Sequence, residues 1–244
     1  MVFNRATELF CDLSGPLVAR VPLRLWPRQI GALHDVHVPS RVDPYPAPTP
    51  AAPANVNIVL ELLDRVRTVE GAVAECGVFR GATLLAMALH LRNARRKIYG
   101  FDSFQGFGET IAPELHPDRQ AIDPNVSAGA FTNTSRRLVA AKLRRFSLTN
   151  VELVEGFFEE TLPRCREPRF AFAHLDGDTY AAYRTCLAHF YPRLTPGAIA
   201  LFDEYNDPAW PGCKQAVDEY LADKSERPLA ICRDNFIKYY IVKQ

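Results

Sequence analysis

Acidic residues stand at the ends of two apolar runs in the second half of the sequence. Asp176 ends the run 170–176, and Asp203 ends the run 197–203 with Glu204 directly after it. If the two runs are neighbouring parallel strands, their tips place the three carboxylates together at one edge of a sheet. Such carboxylates repel one another unless a cation or shared protons lie between them, and oxygen ligands favour Mg²⁺, Mn²⁺ or Ca²⁺. The spacing therefore predicts a divalent metal site at Asp176, Asp203 and Glu204.

Three protein oxygens leave about half of an octahedral metal site open. Two vicinal hydroxyl groups of a substrate and a water can fill that half, and a hydroxyl on a metal loses its proton more readily. Two neighbouring residues fit structural roles. Asp178 precedes a helical run and is a good N-cap, and His174 lies inside an apolar strand, where we expect a hydrogen-bonded core histidine. We therefore expect Asp176 to take part in the chemistry.

A second group of residues has the composition of a nucleoside site. One apolar run ends at Glu75, a turn with Gly77 and Gly81 leads into a helical pattern, and the next run ends at Asp102. Glycines let the backbone approach a ligand, and an acid at the next strand tip can accept hydrogen bonds from a ribose diol. The acidic turn disfavours a pyrophosphate and favours a cationic ligand such as S-adenosylmethionine. A tight turn without a ligand remains the alternative for this motif.

Apolar runs alternate with helical periodicity through most of the chain. Strands are predicted at 72–76, 98–102, 151–155, 170–176 and 197–203. Helices are predicted at 57–67, 82–95, 131–145, 179–194 and 211–224. Two β-rich runs, 229–233 and 236–242, are close enough to form a hairpin. We predict an α/β fold: a Rossmann-like, seven-stranded, mostly parallel sheet with helices on both faces and a C-terminal antiparallel hairpin.

Prolines divide the chain into three predicted parts. Six prolines fall between Pro39 and Pro53, which excludes a helix or a central strand there and predicts a stiff extended connector. We expect an N-terminal arm at 1–38, the connector at 39–56 and one domain at 57–244. The segment 104–130 has little periodicity and is long for a loop, which is typical of a lid.

Composition excludes several classes of protein. The 244 residues are 48% hydrophobic, enough for one domain, and a formal net charge of +1 gives no basic field for nucleic acid. The six cysteines lack metal-ligand spacing, which favours reduced thiols in the cytoplasm. No stretch approaches the roughly 20 apolar residues of a membrane span, and no secretory leader follows Met1. We expect the mixed apolar and basic stretch 9–33 to pack on the domain rather than on a membrane or a second subunit.

Six motifs, taken in order, resemble the macrocin O-methyltransferase family of class I S-adenosylmethionine-dependent enzymes. They are ECGVFRGAT, FDSFQGF, VEGFFEETLP, HLDGDTY, YPRLTPGA and FDEYNDPAWPGCKQAVDEY, and the similarity covers 57–244. Members of that family methylate sugar hydroxyls of glycosylated natural products or other glycans and use Mg²⁺ held by strand-end carboxylates. The resemblance implies S-adenosylmethionine and Mg²⁺ or Mn²⁺ as cofactors, a sugar or glycoside as substrate, and a homo-oligomer in which the N-terminal part helps to cover the site or build the assembly.

The resemblance also implies roles for single residues. The residues assigned to the cofactor are Glu75, Gly77, Gly81, Asp102, Ser103, Gly156, Phe157 and Phe158. The first three would line its methionine end, Asp102 would bind its ribose with Ser103 close by, and the last three would lie near its adenine, where aromatic rings stack. Asp176 would be metal ligand and general base, with Asp203 and Glu204 completing the metal site.

One position departs from the family pattern. The family usually has two aspartates where this chain has Asp203 and Glu204. The longer glutamate side chain can still bind a metal, and it leaves the ion preference open. Two other functions also stay open: methylation of a catechol-like phenol, whose vicinal hydroxyls would chelate the same ion, and a non-catalytic nucleotide-binding or partner-binding module of the same fold.

Overall fold

The computed structural model describes residues 53–94, 96–107, 131–233 and 235–244. The predicted arm at 1–38 and the connector as far as residue 52 lie outside these ranges. Residues 108–130, most of the predicted lid, also lie outside them. The described residues include every position that the sequence assigns to a cofactor or a metal.

Seven strands form one sheet in the described part of the chain. They are β1 (Ala72–Cys76), β2 (Ile98–Asp102), β3 (Val151–Glu155), β4 (Phe170–Leu175), β5 (Leu194–Phe202), β6 (Leu229–Arg233) and β7 (Phe236–Val242). Their order across the sheet is β3-β2-β1-β4-β5-β7-β6. Strands β1 to β5 pair in parallel, and β7 pairs antiparallel with both β5 and β6. The predicted fold class and its closing hairpin are confirmed.

Helices cover both faces of this sheet. They are α1 (Pro53–Arg65), α2 (Ala82–His90), α3 (Arg136–Arg145), α4 (Phe158–Thr161), α5 (Tyr180–Phe190) and α6 (Pro211–Leu221). Apolar residues of α1, α2 and α3 form one buried cluster with the sheet, and those of α5 and α6 form the other. Successive strand residues alternate between the clusters, since Val73 lies in the first and Ala74 in the second. Burial on both sides explains why the strands read as unbroken apolar runs.

Two helices begin four or five residues away from the position that the sequence predicts. Helix α3 begins at Arg136 rather than 131, because Ser135 is its N-cap and accepts the amide of Leu138 at 3.1 Å. Helix α1 begins at Pro53, inside the predicted connector. Proline suits the first turn of a helix, where its missing amide hydrogen would have no partner. The sequence prediction therefore began α1 too late, because it assigned all of the prolines to the connector.

Backbone hydrogen bonds tie the carboxyl ends of β1, β4 and β5 together. The amide of Asp176 donates to the carbonyl of Cys76 at 2.9 Å, and the amide of Asp203 donates to the carbonyl of Leu175 at 3.0 Å. Each acid thus lies one residue beyond its strand, at the same level of the sheet. The strand order β1-β4-β5 places Glu75, Asp176 and Asp203 on adjacent tips, as the sequence analysis required for a shared site.

Two findings concern the environment of the chain. In the described ranges, no helix has the length and apolar composition that crossing a bilayer requires. The cysteines in these ranges are unbonded thiols: Cys76, Cys165, Cys186, Cys213 and Cys232. Cys11 lies outside the described residues.

Gly71, just before β1, lies where the backbone passes very close to the start of β4. Its φ is +126°, and a Cβ there would lie 2.7 Å from backbone atoms of Phe170 and Ala171. At Gly197, φ is +84°, but the nearest atom to an added Cβ is Val69 Cγ2 at 3.5 Å, an ordinary contact. We expect Gly71→Ala to lower the free energy of unfolding by roughly 2 kcal/mol more than Gly197→Ala, because only Gly71→Ala adds a backbone clash. Urea denaturation measures both variants, and equal losses would contradict the expectation.

Candidate active site

Gly77 lets the loops after β1 and β4 approach each other at the edge of the sheet. Its φ is +94°, and a Cβ there would lie only 1.7 Å from the carbonyl oxygen of Asp176. A residue with a side chain would therefore push the β4 loop away from the β1 loop. This close approach brings Glu75, near the end of β1, next to the acids that follow β4.

Three carboxylates converge at the ends of β4 and β5. Asp176, Asp178 and Glu204 each offer an oxygen, and these oxygens lie within 4.8 Å of one another. Burial and the charges of Asp176 and Asp203 raise the pKa of Glu204 well above its ordinary value. Burial and the charge of Asp203 raise the pKa of Asp176 as well. A cation among these oxygens would favour the ionised carboxylates and oppose both shifts.

Asp178 enters this cluster through a left-handed backbone conformation. Its φ is +61°, a region that aspartate occupies more readily than most residues. The N-cap of α5 is Thr179, whose side-chain oxygen accepts the amide of Ala182 at 3.2 Å. The predicted cap at Asp178 is therefore wrong by one residue. Burial and the charge of Asp176 raise the pKa of Asp178 well above its ordinary value, which places this carboxyl group in the same electrostatic environment as Asp176.

Tyr183, from α5, holds Glu204 in place. Its hydroxyl oxygen lies 2.8 Å from Oε2 of Glu204 and 2.8 Å from the carbonyl oxygen of Leu175. The same hydroxyl accepts the backbone amide of Glu204 at 3.2 Å. The tyrosine is completely buried, so these polar contacts are shielded from water and restrain the glutamate strongly.

Asp203 lies beside the cluster, and both of its oxygens contact basic groups. Oδ1 lies 3.2 Å from Nε2 of His174, and Oδ2 accepts Nζ of Lys238 at 2.5 Å. Burial opposes ionisation, but Lys238 and His174 hold the pKa of Asp203 well below its usual range. Among the described residues, neither group of potential ligand atoms within 4.8 Å includes Asp203. Its role as a metal ligand stays a prediction.

A buried hydrogen-bonded chain continues from Asp203 to Glu75. Nδ1 of His174 lies 3.2 Å from Oε1 of Glu75. Burial alone would lower the pKa of His174, but hydrogen bonds with Asp203 and Glu75 raise it to about 10. Burial raises the pKa of Glu75 to about 7, against the hydrogen bond from His174. The predicted hydrogen-bonded core histidine is confirmed, and its partners are two acids that the sequence assigned to ligands.

The second carboxylate oxygen of Glu75, Oε2, differs from Oε1 in its hydrogen bonding. Oε2 is buried and has no hydrogen-bond partner among the described residues. Buried polar atoms are nearly always hydrogen-bonded, so this oxygen at a strand tip has the capacity to accept a hydrogen bond from a ligand. A protonated amino group, such as that of a methionine moiety, is a donor of this kind.

Asp102, at the end of β2, organises the turns of the predicted nucleoside site. Its oxygens accept the backbone amides of Phe79 at 2.7 Å and Phe104 at 2.5 Å. Burial nevertheless raises the pKa of Asp102. Each carboxylate oxygen can accept a second hydrogen bond, so capacity for a ribose diol remains. Ser103 stabilises its own turn, since its Oγ donates to the carbonyl of Gly106 at 2.8 Å.

The other predicted cofactor residues flank the same edge. Gly81 is the N-cap of α2, with a φ of +82°. Gly156 follows β3, and its amide donates to the carbonyl of Asp102 at 2.9 Å. Phe158 packs partly buried under α5, whereas Phe157 is 37% exposed and presents its ring to solvent. An exposed aromatic ring beside Gly156 and Asp102 is compatible with stacking on an adenine.

This arrangement fits a hard divalent cation. Asp176, Asp178 and Glu204 supply the oxygen atoms that Mg²⁺ and Mn²⁺ prefer. A second close group contains Glu75, His174 and Asp176, but both ring nitrogens of His174 contact carboxylates, and a protonated imidazole cannot bind a metal. The carboxylate cluster is therefore the better candidate for the ion, and Glu75 is the better candidate for a cationic ligand.

Sequence reasoning assigned no role to Tyr183 or Lys238. The signal for Tyr183 is its position one helical turn after the cap Thr179, on the face of α5 that meets the sheet. The signal for Lys238 is a charged residue in the middle of an otherwise apolar and aromatic strand. Each signal indicates a buried polar contact, but neither names the partner, which comes from a distant part of the chain.

Comparison with known proteins identifies relatives of this chain. The sequence profile of the Macrocin-O-methyltransferase (TylF) family matches residues 54–239. The chain is 34% identical over 164 residues to mycinamicin III 3''-O-methyltransferase of Micromonospora griseorubida, covering 62% of this chain and 61% of that protein. It is 31% identical over 176 residues to demethyldecarbamoylnovobiocin O-methyltransferase of Streptomyces niveus, covering 68% and 64%. The match therefore spans about six-tenths of the length of these curated relatives.

Solved structures share the architecture. The O-methyltransferase NovP superposes with a TM-score of 0.70 at 24% identity, over 98% of this chain and 99% of that chain, which shows the common fold. The calicheamicin methyltransferase CalS11 superposes with a TM-score of 0.63 at 26% identity, over 77% of this chain and 78% of that one. The family profile includes the whole carboxylate cluster and every predicted cofactor residue. This chain belongs to the Macrocin-O-methyltransferase (TylF) family.

Proposed function

We propose that this protein transfers a methyl group from S-adenosylmethionine to a hydroxyl group of a sugar or glycoside, with a divalent metal as cofactor. One observation carries the proposal: Asp176, Asp178 and Glu204 converge beside Glu75, whose buried Oε2 has no hydrogen-bond partner in the described part of the chain. The cluster has the oxygen donors of a hard-metal site, and Glu75 suits the amino group of the methionine moiety. Membership of the family supports both assignments.

The names of relatives support a sugar as the acceptor. A relative from Streptomyces olivaceus, 31% identical over 160 residues, is named for 4'-O-methylation of a tetracenomycin with a rhamnosyl group. The apo structure of CalS11, at 26% identity, is described as a TDP-rhamnose 3'-O-methyltransferase. A sugar with neighbouring hydroxyl groups can chelate a divalent ion held by carboxylates. A catechol has the same chelating geometry and stays the alternative acceptor.

The residues of this chain have separate tasks in the proposed reaction. Bound S-adenosylmethionine supplies an activated methyl group, and a bound divalent ion lowers the pKa of a hydroxyl group. Asp176 and Glu204 would hold the ion, with Asp178 as a third donor and Asp203 as the predicted ligand that contacts Lys238 here. Asp176 would also accept the hydroxyl proton, and its raised pKa makes it a stronger base than an exposed aspartate.

Positioning accounts for much of the expected rate enhancement. Alignment of two reactants in one site can remove roughly 7 to 11 kcal/mol of barrier. The close contact at Gly77 fixes the β1 loop, which carries the cofactor residues, against the β4 loop, which carries Asp176. The same contact therefore sets the distance between donor and acceptor sites.

Three further parts of the proposal rest on sequence and resemblance. We propose that residues 1–38 form an arm and that a connector beginning at residue 39 joins this arm to the domain, which was predicted at 57–244 and whose first helix begins at Pro53. We also propose that the enzyme is a cytoplasmic homo-oligomer. Unbonded thiols in the described ranges agree with a reducing compartment. Light scattering of the full chain, and of a chain lacking residues 1–38, measures the assembly and the contribution of the arm.

Asp176→Asn tests the catalytic assignment. We expect kcat for methyl transfer to fall roughly 100- to 10,000-fold, because asparagine cannot accept the hydroxyl proton. The assay uses S-adenosylmethionine and MgCl₂ with TDP-rhamnose, a rhamnoside and catechol as acceptors. The wild-type enzyme should lose activity with EDTA and regain it with excess Mg²⁺. The matched control is Asp223→Asn, which changes a carboxylate that is 78% exposed and paired with Lys224, and should keep the wild-type rate.

Each outcome of that assay separates the candidate functions. Transfer to catechol but to neither sugar acceptor would favour the phenol reaction. Transfer that persists in EDTA would contradict metal dependence. Binding of S-adenosylhomocysteine without transfer to any acceptor would favour the non-catalytic module.

Glu75→Gln tests the cofactor assignment. Glutamine keeps the size of the side chain and removes its charge, so we expect the Kd for S-adenosylhomocysteine to rise roughly 10- to 100-fold. Isothermal titration calorimetry measures this affinity without an acceptor. Glu70→Gln is the control, because Glu70 is exposed just before β1 and should leave the Kd unchanged. An unchanged Kd in Glu75→Gln would remove Glu75 from the cofactor site.

A further inference from the structure

Lys238 brings a positive charge to the acidic edge from the far end of the chain. Its Nζ donates to Oδ2 of Asp203 at 2.5 Å and to the backbone carbonyl of Asp203 at 2.9 Å. The side chains of Lys238 and Asp203 are 12% and 15% exposed. Little water separates or screens this ion pair, so its charges act on neighbouring groups more strongly than those of a surface pair.

The strand register determines this position. Strand β7 runs antiparallel to β5, and Phe202 lies opposite Tyr239. The next step along both chains places Asp203 near Lys238, just beyond the last paired residues. On its other side, the backbone of Lys238 pairs with Ile231 of β6. The backbone register of the hairpin therefore places the ammonium group of Lys238 at the site.

The two oxygens of Asp203 are both engaged. His174 contacts Oδ1 at 3.2 Å, and Lys238 contacts Oδ2. The neighbouring acid, Glu204, belongs to the cluster of potential metal ligands, whereas Asp203 lies outside both such clusters in the described residues. A divalent ion bound at Glu204 would therefore stand close to an ammonium group that already neutralises the adjacent acid.

We propose that Lys238 is a resident cation that competes with the divalent metal for Asp203 and thereby weakens metal binding at the carboxylate cluster. The inference rests on the proposed function, because it requires a metal site at Asp176 and Glu204. Two effects of Lys238 both weaken metal binding. The ammonium group repels a divalent ion through a poorly screened medium, and it holds the one predicted ligand that lies outside the cluster.

Lys238→Met tests the inference by removing the charge and keeping most of the side-chain volume. We expect the full-length variant to bind Mn²⁺ roughly tenfold more tightly than the wild type. Loss of the free Mn²⁺ signal in electron paramagnetic resonance titrations measures this Kd without cofactor or acceptor. Lys238→Arg keeps the charge and should keep the wild-type Kd. Lys238→Gln, which keeps a hydrogen-bond donor to Asp203, gives a second neutral variant should the methionine variant fail to fold.

A second lysine near the hairpin provides the matched control. Nζ of Lys243 contacts Oε1 of Glu226 at 2.8 Å, and the Glu226 side chain is 1% exposed. The amide of Lys243 donates to the carbonyl of Ala198, in the middle of β5 and away from the acidic tips. Lys243→Met therefore removes an ion pair to a buried acid at the opposite edge of the sheet. It should lower stability and leave the Mn²⁺ Kd unchanged.

The outcomes are distinguishable. If the neutral variants at Lys238 bind Mn²⁺ with the wild-type Kd, or more weakly, the inference is overturned and the proposed metal site stands. If Lys243→Met lowers the Mn²⁺ Kd as much as Lys238→Met does, the inference is also overturned, because any loss of positive charge would then tighten Mn²⁺ binding. If the wild type itself binds no Mn²⁺ at millimolar concentration, the metal-dependent function fails and the inference fails with it.

Discussion

Repulsion between buried and half-buried carboxylates is the constraint on which this structure depends. The ends of β1, β4 and β5 and the loops after them bring together Glu75, Asp176, Asp178, Asp203 and Glu204. Two basic groups, His174 and Lys238, are bonded to members of this set. Burial, together with the remaining repulsion, raises the pKa values of Asp176, Asp178 and Glu204. Such crowding costs stability unless a cation lies among the oxygens, which supports the proposed metal site.

The sequence predicted the strands and their acidic tips because both follow from local patterns. Apolar runs identify buried strands, and the residue after each run is visible in the sequence. The carboxylate at Asp178 was misjudged because a cap is a statistical preference, and Thr179, one residue later, is also a residue that caps helices. Tyr183 and Lys238 could not be assigned, since their partners depend on helix orientation and hairpin register, which only the assembled sheet determines.

His174 joins the two halves of the candidate site. Its Nδ1 contacts Glu75, the acid proposed for the cofactor, and its Nε2 contacts Asp203, the acid beside the proposed metal. Both contacts involve one rigid ring, so the ring fixes the separation at which both acids can bond to it. Lys238 extends this chain by one more ion pair. The hydrogen-bonded core histidine that the sequence predicts is therefore the group that connects the two acids.

The departure from the family pattern at Glu204 has a structural explanation in Tyr183. A glutamate places its carboxyl group one methylene further from the backbone than an aspartate. Here that extra reach lets Oε2 meet the buried hydroxyl of Tyr183 at 2.8 Å while the same carboxyl group bonds to Asp176. The tyrosine also accepts the amide of Glu204, so main chain and side chain are fixed by one group. The longer glutamate side chain is thereby restrained, because buried hydrogen bonds offset the entropy that is lost in ordering it.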